Sequence, residues 1–222
     1  MKYPYIAFDV DGTLIDALPV AVQTMRQALF EHTGHLYPPE RLALTMGLTN
    51  EDAFSFLGLE YSDACVRRWT ELQLAANDQI TLFDGVVEIL EALKCADCVL
   101  GIVTSRNRAE YEADRRLFDQ IEGFFDHIVL SEMTKRHKPS PEPLLKFMEL
   151  CGAPAEQTLY IGDAACDMQC AASAGVKGAL ALWGAVDQNA ASDYCLASPQ
   201  AILRVAETGT QEAAAPAPPS DG

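Results

Sequence analysis

The chain has 222 residues, 49% of them hydrophobic and 22% charged, an ordinary globular balance with length for one full core and a smaller second module. A formal net charge of −16 repels nucleic acid, and Arg67-Arg68 and Arg115-Arg116 are isolated pairs read as solvated helix faces, so no nucleic-acid partner is expected. No segment approaches the ~18 apolar residues of a membrane span, and Asp9 cuts short the N-terminal apolar run, so the expectation is a cytoplasmic protein with no membrane partner.

The short apolar run Tyr5-Ile6-Ala7-Phe8 reads as a buried parallel strand, and Gly12 breaks it just after Asp9 and Asp11. Both carboxylates therefore fall at the strand's C-terminal end, where open α/β sheets bind ligands. Two anions a few Å apart repel by roughly 4 kcal/mol at an effective dielectric near 20. Asp-Gly alone is ordinary turn chemistry. A calcium loop opening at Asp9 fails, because Val20 stands where the bidentate glutamate belongs.

Asp16 is a candidate cap for a helix over 17–32, with Leu18, Val22, Met25 and Leu29 on one face and Gly34 as its stop. Helical patterns follow at 39–46, 50–58 and 62–79, where Val66, Trp69, Leu72 and Leu74 read as packing positions. No strand pattern lies between 16 and 80, which predicts an all-helical insert of about 65 residues. Beyond it the period changes. Helix 85–94, a strand over 98–103, helix 107–120 capped by Asn107, and a strand over 127–130 come first. Helix 142–151, a strand over 158–161, helix 166–174 and a strand over 178–182 complete the series. Strands alternating with helices predict a parallel sheet with right-handed crossovers, so the fold class is α/β. The expected division is an α/β core over 1–15 and 83–205, a helical unit over 16–82, and a disordered tail over 206–222, rich in Ala and Pro. The 7 cysteines are odd in number and scattered, which fits reduced core thiols. Cys95-x-x-Cys98 and the i, i+4 pair Cys166 and Cys170 are read as packing residues.

Four polar clusters sit at strand ends: Asp9 with Asp11, Thr104 with Ser105, Lys138 in the loop after the third strand, and Asp163 with Asp167. Each alone has an ordinary explanation as a cap, a turn or a surface charge. In a parallel sheet, however, all these ends share one edge and can converge on one pocket. Clustered carboxylates repel unless a divalent cation joins them, and hard oxygen donors suit Mg²⁺. A hydroxyl with neighbouring backbone N–H groups can hold phosphoryl oxygens, and a lysine brings compact positive charge against phosphate. One aspartate is then free to attack phosphorus while another handles the proton.

The stretches Asp9-Val10-Asp11-Gly12-Thr13, Val103-Thr104-Ser105, Lys138-Pro139-Ser140-Pro141-Glu142-Pro143 and Gly162-Asp163-Ala164-Ala165-Cys166-Asp167 resemble, in this order, the motifs of the haloacid dehalogenase-like hydrolases, most closely the phosphoglycolate phosphatase-like branch. The resemblance covers residues 1 to about 205. It implies a Rossmann-like core with an inserted helical cap, and a Mg²⁺-dependent phosphatase acting on small phosphorylated metabolites through an aspartyl-phosphate. By the same resemblance Asp9 is the nucleophile and Asp11 the general acid and base. Thr104, with Ser105, holds the phosphoryl group, and Lys138 neutralises it. The metal ligand set drawn from the resemblance is Asp9, the backbone carbonyl of Asp11, Asp163 and Asp167, the last either directly or through water.

Other branches fit less well. Phosphonate-cleaving relatives use a cap lysine, and none lies between Lys2 and Lys94. Dehalogenase relatives generally lack an acid at the position of Asp11. Sugar-phosphate mutases resemble this chain around Met46-Gly47-Leu48-Thr49 but commonly carry arginine where Asn50 stands. A mutase of the same fold and a phosphate-binding module without turnover are the alternatives. Asp84 occupies a hinge position where relatives often have proline, and Arg41 and Gly47 are candidate substrate-facing positions of the cap. The sequence names neither the substrate nor the oligomeric state.

Overall fold

The computed structural model describes residues 1–46 and 50–211. Six parallel strands form the central sheet: β1 (Tyr5–Phe8), β4 (Val99–Val103), β5 (His127–Val129), β6 (Thr158–Gly162), β7 (Lys177–Ala181) and β8 (Tyr194–Leu196), in the order β5-β4-β1-β6-β7-β8. The chain grows outward from β1 in both directions, so β1 and its neighbours β4 and β6 form the topological switch point where α/β sheets bind ligands. Both faces of β1 are buried. Ile6 and Phe8 enter one apolar cluster with Leu100, Ile102, Leu159 and Ile161; Ala7 enters the other with Val103, Phe147 and Tyr160. A two-residue side-chain period across two covered faces explains why the strand reads as a continuous apolar run.

The covering helices are α5 (Val86–Cys95), α6 (Arg108–Ala113), α7 (Arg115–Ile121), α8 (Glu142–Cys151), α9 (Ala165–Ala174) and α10 (Ala201–Thr208). The expected single helix over 107–120 is broken at Asp114. Asn107 does cap its first half, through a capping box with Glu110. Gly152 and Gly175 end α8 and α9 with positive φ. Strand β8 and helix α10 went unread because Tyr194–Leu196 is too short to carry a period. Helix α10 also overturns the expected start of a tail at position 206. Residues 206–208 form its last turn, and Ala206 is fully buried beneath Lys2 and Tyr3, whose N–H groups donate to its carbonyl at 2.9 Å each. Positions 212–222 lie outside the described residues.

The inserted unit holds α1 (Leu18–Thr33), α2 (Pro39–Ala43), α3 (Asn50–Leu57) and α4 (Asp63–Ala75) around a core of their own, with Met25, Leu29, Leu42, Phe54 and Leu57 at its centre. Each such buried side chain contributes ~1.5–3 kcal/mol. Trp69 Nε1 donates to the Ala21 carbonyl at 3.3 Å and Thr24 Oγ1 at 3.2 Å, joining α4 to α1. Leu72 packs against this core, but Leu74 points into solvent at 63% exposure, against expectation. The two passages between insert and sheet pair as a ribbon, β2 (Ile15–Asp16) against β3 (Thr81–Leu82). Asp16 therefore lies in a strand and caps nothing; the helix starts after Ala17 with no side-chain cap, and Pro19 fills its first turn. Arg116 is likewise no free surface charge: Nη2 donates to the Ile80 carbonyl at 2.8 Å and fastens the returning chain to α7. All seven thiols are free; Cys98 and Cys170 are buried, Cys166 is half-buried and Cys95 is exposed, so packing explains only one member of the C-x-x-C pair.

Candidate active site

The C-terminal edge of the sheet gathers the polar residues. Asp9 follows β1 and its N–H donates to the Ile161 carbonyl at 2.8 Å, which locks it beside β6. Lys138 reaches in from the long loop after β5. Its Nζ stands 2.7 Å from Asp9 Oδ1 and 2.7 Å from Asp167 Oδ1, with its side chain only 4% exposed. Asp167, in the first turn of α9, is fully buried; Oδ2 accepts from the Ala164 N–H at 3.1 Å and closes the turn. Asp163, just after β6, accepts from Thr13 Oγ1 at 3.3 Å. Carboxylate oxygens of Asp9, Asp163 and Asp167 lie within 4.8 Å of one another.

Three acids so close, with one lysine among them, carry uncompensated charge. Burial, reinforced by Asp167 and Asp11 against the opposing pull of Lys138, pushes the Asp9 carboxyl up to about 7. Burial, then Asp9 and Asp167, pushes Asp163 up to about 8. Lys138 is also buried, which works against its charge, but Asp167 and Asp9 outweigh this and hold it well above the usual lysine range. The cluster is thus short of positive charge by an amount that one divalent cation supplies. An all-oxygen donor set of this kind fits Mg²⁺, and Asp9, Asp163 and Asp167 are the residues able to hold it.

The Asp11 side chain is not among them. Its carboxylate turns from the cluster to Arg106, whose Nε and Nη2 donate to Oδ2 at 2.7 Å and Oδ1 at 2.6 Å. A bidentate guanidinium thus occupies the Asp11 carboxylate, whereas the metal contact expected of Asp11 is through its backbone carbonyl, which this pairing does not involve. Thr104 is buried after β4, and its Oγ1 accepts from the Arg106 N–H at 3.1 Å; Ser105 beside it is exposed. In the insert, Arg41 Nη2 is turned to the Phe56 and Leu57 carbonyls at 3.4 and 3.5 Å, and Gly47 lies outside the described residues, as do Leu48 and Thr49 of the mutase-like stretch.

Four contributors escaped the sequence reading. Arg106 stood two residues past Thr104, in a strand-end loop judged only by its hydroxyls. Tyr160 read as core, yet its hydroxyl lies 3.1 Å from Asp167 Oδ1, 3.2 Å from Lys138 Nζ and 3.0 Å from the Val103 carbonyl. A buried tyrosine needs such partners, and that was the available signal. Trp183 and Gly184, just past β7, brace the loop that bears both aspartates. Trp183 Nε1 donates to the Thr13 carbonyl at 3.0 Å, and a Cβ on Gly184 would meet the Gly12 carbonyl oxygen at 1.8 Å. Gly12 itself has φ +77°, and a Cβ there would lie 2.2 Å from Asp163 Oδ2.

A doubly wound sheet with an inserted helical unit, and with carboxylates and a lysine gathered at the switch point, defines an α/β protein with a charged site at the sheet edge. Residues 6–181 match the family profile described as haloacid dehalogenase-like hydrolase, and the chain belongs to that family. A phosphoglycolate phosphatase from Aquifex aeolicus is 30% identical over 208 residues, spanning 90% of this chain and 95% of that protein. The pyrophosphatase PpaX from Bacillus mycoides is 28% identical over 184 residues, spanning 82% and 85%. A crystal structure from Lactobacillus plantarum superposes with a TM-score of 0.79 at 30% identity, covering 92% of this chain and all of that one. No helix among the described residues is long and apolar enough to cross a membrane.

Proposed function

We propose that this chain is a Mg²⁺-dependent phosphatase of small phosphorylated metabolites that works through an aspartyl-phosphate on Asp9. The observation that carries the reading is the close group of Asp9, Lys138, Asp163 and Asp167, half-buried at Asp163 and buried elsewhere, whose surplus negative charge calls for a cation. The kinship to a phosphoglycolate phosphatase and a pyrophosphatase supports the same reaction class.

In this reading Asp9 attacks phosphorus and Asp11 delivers a proton to the departing oxygen. Asp11 later takes a proton from the water that hydrolyses the phosphorylated Asp9. Thr104, with Ser105 beside it, holds the phosphoryl oxygens. Lys138, pinned between Asp9 and Asp167, fixes the nucleophile and offsets charge developing on the phosphoryl group. Tyr160 and Asp167 keep Lys138 in place without touching the substrate. Mg²⁺ held by Asp9, Asp163 and Asp167 would supply further charge neutralisation for an anion meeting an anion. The helical unit over 16–82 serves as the cap over this edge, and its side chains select among substrates.

A panel of phosphorylated metabolites, with and without Mg²⁺, tests the reading. Phosphate release that needs Mg²⁺ and disappears in a folded Asp9→Asn variant is expected. Turnover unaffected by that substitution refutes the assignment.

A further inference from the structure

Arg106 is more constrained than a strand-end arginine needs to be. All three of its guanidinium nitrogens are committed: Nε and Nη2 to the two oxygens of Asp11, and Nη1 to Asp114 Oδ2 and, at 3.3 Å, to the Glu110 carbonyl. Its backbone is fixed as well. The N–H donates to Thr104 Oγ1 at 3.1 Å, and the carbonyl accepts from the Ser131 N–H at 3.0 Å. The far end is sunk into the protein, because Asp114 sits in the break between α6 and α7 at 4% exposure, and its Oδ1 has no hydrogen-bond partner among the described residues. Withdrawing the guanidinium would leave the Asp114 charge buried and unpaired, which holds Arg106 at this end. The near end is different: the Asp11 side chain is 46% exposed, and among the described residues Arg106 alone donates to its carboxylate.

We propose that Arg106 is a positioning residue, a strut seated on Asp114 that sets the direction in which the Asp11 carboxyl exchanges its proton. The inference rests on the phosphatase reading, which gives Asp11 its task. In the first step a bond forms from an Asp9 oxygen to phosphorus while the ester P–O bond breaks, and the Asp11 proton goes to the leaving oxygen. In the second, water attacks phosphorus and gives one proton to Asp11, and the bond from phosphorus to Asp9 breaks to release phosphate. Arg106 gains and loses nothing in either step. Its planar fork grips both oxygens of one carboxylate, a geometry that a lysine ammonium does not reproduce.

The experiment compares Arg106→Gln and Arg106→Lys, each alone and combined with Asp11→Asn, on p-nitrophenyl phosphate and on the metabolite turned over best. Misdirecting a reacting group by about 1 Å costs on the order of 10²-fold, so Arg106→Gln should lower kcat by roughly 10- to 10²-fold with KM little changed. Arg106→Lys should fall between it and the wild type. With Asp11→Asn already present, Arg106→Gln should reduce the release of p-nitrophenolate no further, because the group that it positions is gone. A loss confined to KM, a loss that adds in full to that of Asp11→Asn, or an Arg106→Lys protein with wild-type kcat overturns the proposal. If Arg106→Gln melts early, the folded lysine variant decides by the same criteria. Absence of any turnover by the wild type overturns the phosphatase reading, and this inference with it; turnover with additive losses overturns this inference alone.

Discussion

Asp9 and Asp11 stand two residues apart in one loop, yet they belong to regions built on opposite terms. Around Asp9 two buried acids and a half-buried third share one lysine with a buried side chain, and burial with the surplus negative charge drives two carboxyl groups up toward neutrality. Around Asp11 one arginine spans two acids, and the partner nearer the substrate edge is half open to water. The first region is a frustrated pocket whose frustration a divalent cation would relieve. The second is a paired arm, anchored in the protein at Asp114 and open to water at Asp11. The lesson is that identical side chains acquire different tasks from the cations that the fold sends to them.

The largest effects should come from breaking the pocket. Asp9→Asn should remove activity by more than about 10³-fold, the scale on which loss of a covalent nucleophile is felt, while the melting curve stays cooperative. Lys138→Ala should cost on the order of 10²–10³ in kcat. It also strands two buried carboxylates, so thermal or denaturant unfolding should register a stability loss of about 3–5 kcal/mol. Gly184→Ala tests the brace between the two regions. Its Cβ cannot coexist with the Gly12 carbonyl, so the loop carrying both aspartates must shift, at about 1–3 kcal/mol and with a fall in kcat that Trp183 cannot prevent.

A gentler probe is pH. The folded-state carboxyls of Asp9 and Asp163, at about 7 and about 8, lie above the ordinary carboxylate value near 4. The folded protein then holds more protons than the unfolded one between these limits. Their contribution to stability is complete below about pH 4 and is lost as pH rises through about 8. Metal-free protein in a chelator should therefore show these two groups weakening the fold across that window, and added Mg²⁺ should restore stability most at its alkaline end. A melting temperature that Mg²⁺ raises equally at every pH contradicts the assignment of the cation to these carboxyls. The smallest effect belongs to the insert surface: Leu74→Ser should change unfolding free energy by less than about 0.5 kcal/mol, as expected of an exposed position.

What was legible in the sequence followed from period and punctuation. The apolar run ending at Asp9, Asn107 as a cap, and Gly34, Gly152 and Gly175 as helix ends all depend on local chemistry, and the structure has them at those places. The strand-end rule was enough to bring Asp9, Lys138, Asp163 and Asp167 together. What stayed hidden is set by partners distant in the chain. Asp11 faces Arg106 across 95 positions, and Trp183 reaches Thr13 across 170. The ribbon of Ile15–Asp16 with Thr81–Leu82 is two residues long on each side, too short for any periodic signal. Leu74 misled because an apolar residue on an amphipathic helix can lie just outside the packed stripe.

The central claim is that the buried acid after β1 is the group that accepts phosphorus. The most direct test is to incubate the protein with an aryl phosphate and Mg²⁺, quench in acid and weigh its peptides. One phosphoryl group on the peptide containing Asp9, missing without Mg²⁺ and missing in Asp9→Asn, is the predicted result. A phosphoryl group on any other residue, or full turnover by the Asp9→Asn protein, contradicts the account.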